Sequence, residues 1–138
     1  ALRQARELSS ALPNVVFIER QLTQQESYAL MRAATVLVSI PRYDGYSASV
    51  NEALYFETLP VVGRIPATQE LLDDGLKLLF PELLDANNLA EQLRHALALE
   101  TNAREAITAH NLAWVQQNAM LKQSAEDFLK LANTHIAD

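Results

Sequence analysis

Apolar positions along this chain alternate between two periods. Leu2, Ala5, Leu8 and Leu12 share one helical face, which predicts a helix from Leu2 to Leu12 that Pro13-Asn14 stops. Val15-Val16-Phe17-Ile18 is continuously apolar and reads as a short buried strand of the parallel kind. Thr23-Gln24-Gln25-Glu26 has capping-box spacing and predicts a helix from Thr23 to about Ala33. The β-branched run from Thr35 to Ile40 is the next strand. Ser49-Val50-Asn51-Glu52 repeats the capping-box pattern and opens a helix that ends near Glu57. Pro60 to Gly63 is a short strand and Ala67 to Leu72 a short helix. Asp73-Asp74-Gly75 turns the chain into a strand from Leu76 to Phe80, stopped by Pro81. From Asp85 onward every signal is helical. Leu89, Leu93, Ala96 and Leu97 make one apolar face, a second helix spans Asn102 to Gln117, and a last one Met120 to His135. No internal repeat or low-complexity linker interrupts the pattern. Strand and helix in alternation predict an α/β fold with a parallel sheet, its C-terminal helices (101–138) covering one face and edge.

Composition narrows this. The 138 residues suit one domain, and 49% apolar content predicts a packed core. A net charge of −6 and a pI near 5.0 argue against nucleic acid or an anionic membrane surface as the main partner, since both call for a basic footprint. A local basic cluster still suits a phosphate. There is no cysteine, hence no disulfide, thiolate metal site or thiol nucleophile. With no apolar run of membrane-spanning length and no visible signal peptide, the expectation is a cytoplasmic protein. The first residue is Ala rather than Met, so the chain reads as processed or as an excerpt of something longer. His95, His110 and His135 have no metal-ligand spacing and read as surface residues. Trp114, Leu121, Phe128, Leu129 and Leu131 read as core or interdomain packing.

The candidate chemistry lies in the run from Pro41 to Leu54. Asp44 and Glu52 stand in it with seven residues between them, one on the loop leaving a strand, the other in the first turn of the next helix. Open α/β sheets bind ligands at this place, the carboxyl ends of their strands. Two ionised carboxylates accept hydrogen bonds from the hydroxyls of a polyol. Taken alone, Asp44-Gly45 is also a turn, and Glu52 is also the partner of Ser49 in a capping box. Arg42 and Arg64 follow strands at the same sheet edge, where they face a phosphate or stay solvated or ion-paired. Tyr43 and Tyr46 stack on a base or sugar, or simply pack. Ser47 and Ser49 donate to phosphate or cap the helix.

From Val15 to about Leu99 the chain resembles the donor-binding domain of glycosyltransferase family 4, retaining enzymes of the GT-B fold. The matching order is Asp44-Gly45-Tyr46-Ser47, then Glu52-Ala53-Leu54, then Pro60-Val61-Val62-Gly63. Glu70-Leu71-Leu72 before Asp74-Gly75, and Asn87-Asn88-Leu89-Ala90, continue it. The resemblance implies a Rossmann-like three-layer parallel sheet with flanking helices, the C-terminal half of a GT-B enzyme. It implies a nucleotide-diphosphate sugar as donor substrate and no metal or other cofactor. Asp44 would touch the sugar hydroxyls and Glu52 the ribose. Gly45, Tyr46 and Ser47, at the helix start, would lie by the sugar and diphosphate, with Arg42 nearby. The acceptor, a carbohydrate, lipid-linked or small molecule, would be held by an N-terminal acceptor domain of the same enzyme.

Several positions depart from the family pattern. Asp44 replaces the usual Glu and reaches about 1.5 Å less. Pro41, Ser47 and Thr58 stand where Ser, Gly and Gly are common. The first two strands of the family's domain, which carry most of its basic diphosphate ligands, have no counterpart here. In the order 3-2-1-4-5-6 their loss removes the middle of the sheet and leaves the strand at Val15 to Ile18 without neighbours. The chain is therefore read as the C-terminal part of a hexosyltransferase-like enzyme, inactive alone, or else as one that exchanges strands in a homodimer or rearranges its sheet. A non-catalytic nucleotide-sugar-binding or assembly domain and a GT-B-like nucleotide-sugar epimerase are the alternative readings.

Overall fold

Strands β1 (Val36–Ser39) and β2 (Leu59–Val62) lie side by side and parallel, with Val36 opposite Leu59 and Ser39 opposite Val62. They belong to a computed structural model that describes residues 2–43, 47–79, 81 and 85–120. Six helices accompany them among the described residues: α1 (Leu2–Ala11), α2 (Gln24–Ala33), α3 (Ala48–Tyr55), α4 (Pro66–Asp73), α5 (Ala86–Ala98) and α6 (Thr101–Asn118). The fold is mixed α/β, as the alternating pattern predicts. None of these helices is long and apolar enough to cross a membrane.

Every residue of β2 is buried, which its unbroken apolar run requires of a strand covered on both faces. Successive side chains leave a strand on opposite sides. Val62 accordingly joins Val50, Leu54, Leu71, Leu76 and Val115 in one core, with Leu37 packed against it. Leu59 and Val61 join Ala96 in the other, beside Val36, Leu89, Leu93 and Ile107. So α3 and α4 cover one face and α5 the other, while α6 reaches both through Val115 and Ile107.

Two predicted strands are not formed as such. Val15 to Ile18 pairs with nothing in the sheet and is open to solvent, Val16 at 85%. Among the described residues no neighbouring strand takes up its backbone groups. An ion pair between Arg6 of α1 and Glu19 holds α1 to the chain just beyond it. The predicted strand from Leu76 shrinks to one parallel bridge, Leu79 against Val61, with Leu79 N–H on the Pro60 carbonyl at 3.2 Å and Val62 N–H on the Leu79 carbonyl at 2.9 Å. A side chain has displaced the ladder at Lys77. Asn111 of α6 accepts from its N–H and donates to its carbonyl, both at 2.9 Å. Phe80 and the helix predicted from Met120 to His135 lie outside the described residues, Met120 itself apart.

Helix ends follow local chemistry. Thr23 caps α2 as predicted, with Glu26 completing a capping box. The box predicted at Ser49 and Glu52 does not form. α3 begins at Ala48 behind Ser47, so Ser49 is already helical and its hydroxyl lies 3.2 Å from that of Ser47. Both α3 and α4 end in a Schellman motif. After α4 the left-handed position is Gly75 (φ 98°), with N–H bonds from Gly75 to Leu72 and from Leu76 to Leu71. After α3 it is Glu57 (φ 59°), with bonds from Glu57 to Leu54 and from Thr58 to Ala53. His110 is exposed as expected, yet its Nε2 lies 2.9 Å from the Gly75 carbonyl, and Trp114 Nε1 donates to the Asp74 carbonyl at 3.0 Å.

Candidate functional site

The carboxyl end of β1 feeds Ile40, Pro41, Arg42 and Tyr43 toward the start of α3. Arg42 and Tyr43 are exposed, and Arg64, just beyond the end of β2, is exposed as well. Asp44, Gly45 and Tyr46 lie outside the described residues. Ser47 is the N-cap residue of α3 and makes no side-chain capping bond.

Glu52 is the fifth residue of α3, so it stands in the second helical turn rather than the first. It is partly buried and lines a pocket of about 220 Å³ between α2, α3 and the end of α6. Tyr28, Asn51, Tyr55 and Phe56 share the lining. The Tyr28 hydroxyl donates to Glu52 Oε1 at 3.3 Å and itself receives a hydrogen bond from Gln24 Nε2 at 2.7 Å. Gln24 and Tyr28 are one turn apart on α2, so this relay comes from a single helix face.

The walls are aromatic. The Tyr28 and Phe56 rings sit with centroids 5.1 Å apart and tilted by 56°, and Tyr55 meets Phe56 edge-on at 5.5 Å. The Arg32 guanidinium lies 5.1 Å from the centre of the Phe56 ring. Thr58, buried, donates its hydroxyl to the Met31 carbonyl at 2.6 Å and so fixes the end of α3 to the end of α2. The pocket is thus bounded by elements held together on both sides. Its polar groups are few: the Glu52 carboxylate, the Tyr28 hydroxyl and the Asn51 amide, whose Oδ1 is buried without a hydrogen-bond partner.

Glu52 stands out in the sequence, whereas Tyr28, Asn51, Tyr55 and Phe56 do not. Tyr28 is remote in sequence and carries no motif. Asn51 was visible only as an inner position of the expected capping box. Among the described residues no group of three His, Asp or Glu side chains is placed to hold a metal ion. No family model matches the sequence. No curated protein matches it either.

Proposed function

We propose that this chain supplies the donor-binding part of a retaining glycosyltransferase and binds a nucleotide-diphosphate sugar. The observation that carries the reading is Glu52: a carboxylate 3.3 Å from the Tyr28 hydroxyl at the edge of a pocket, on the helix that joins two adjacent parallel strands. Open α/β sheets bind ligands outside the carboxyl ends of their strands, and α3 follows the carboxyl end of β1. In this reading Glu52 accepts from the ribose hydroxyls, and Asp44 orients the transferred sugar. Gly45, Tyr46 and Ser47 offer backbone N–H groups to the diphosphate, whose charge Arg42 and the start of α3 offset without a metal ion. Stabilisation of the departing diphosphate is electrostatic, by donors aimed at its developing charge.

Among the described residues β1 pairs with β2 alone, and the same reading gives its other edge a purpose. Backbone groups on an uncovered edge call for a partner strand. Further strands from the rest of the enzyme would pair with that edge, completing a three-layer Rossmann-like sheet. An acceptor-binding domain would stand across the crevice, in a cytoplasmic enzyme.

Titration of the full-length protein with UDP-, ADP- and GDP-sugars tests this. One nucleotide class is expected to bind saturably, and Glu52→Gln to weaken it about ten- to a hundredfold, the worth of a charge-assisted hydrogen bond of about 1.5–3 kcal/mol. An unchanged affinity in Glu52→Gln rejects the ribose assignment. Isomerised or hydrolysed donor in the absence of any acceptor identifies an epimerase instead.

A further inference from the structure

We draw no further inference here: the strongest candidate, the apolar groove of about 330 Å³ between α2 and the extended segment that leads into it, lined by Ile18, Leu22, Ala29 and Leu30, carries nothing because nothing in the structure shows what covers it.

Discussion

Replacing Asn111 probes the contact that most alters the sheet. The residue is 1% exposed, and its amide clasps the backbone of Lys77 in both directions. Asn111→Ala removes two hydrogen bonds worth about 1 kcal/mol each. The gap it leaves inside the molecule adds about 1 kcal/mol more, for a total of about 2–4 kcal/mol. Against a domain stability of about 5–15 kcal/mol that is a large fraction. Urea denaturation followed by circular dichroism measures it, as a lower midpoint with an unchanged slope.

Asn111→Asp is the sharper variant. An ionised carboxylate still accepts from the Lys77 N–H, but it faces the Lys77 carbonyl without a proton to offer. One bond is lost and two oxygens repel. Protonated, the same side chain restores both bonds, so folding raises the pKa of the introduced acid. The deficit relative to wild type is then small below the ordinary carboxylate pKa of about 4 and grows as pH rises through the raised folded value. A deficit independent of pH, or a cost for Asn111→Ala under about 0.5 kcal/mol, refutes the idea that this amide replaces a strand ladder.

Glu57→Gly should stabilise the protein by about 0.5–1 kcal/mol, because relief of a left-handed side chain outweighs the extra freedom of glycine in the unfolded chain; a melting temperature that rises by a few degrees checks it. The Glu26 carboxyl is held down to about 2 from 4.5, first by the Arg20 guanidinium, then by the Thr23 backbone N–H and hydroxyl. Its contribution is present above the unfolded value and is lost as pH falls from about 4.5 toward about 2. Glu26→Gln should flatten that part of the stability profile, and high salt should shrink the difference.

Much of the fold was legible in the sequence where one local signal decided the outcome. The capping box at Thr23, the unbroken apolar run of β2 and the Asp74-Gly75 stop of α4 all appear where the pattern puts them. The signals failed where a distant group took over. Val15 to Ile18 has the composition of a strand, but pairing needs a neighbour, and composition cannot supply one. The run from Leu76 looked like a full strand because nothing in it announces that Asn111, 34 residues later, claims Lys77. At the site, Glu52 stood out by its spacing from Asp44. Its actual partner among the described residues, Tyr28, is 24 residues upstream and belongs to no motif. The second capping box misled because Ser47 and Ser49 are both good caps two residues apart, and the helix began at the earlier one.

The grip of α6 on the Asp74 to Lys77 turn sets an order of events on the ribosome. The three side chains that secure this turn lie 34 to 40 residues further along. While the chain is being made, the first half of the sheet can assemble as soon as β2 has emerged. The rung at Leu79 lacks the Asn111 clasp on Lys77 at its near end until α6 leaves the exit tunnel, and residues 77–79 stay open to chaperones and proteases over that interval. A translational pause placed before α6 would prolong that exposure, and one placed after it would not.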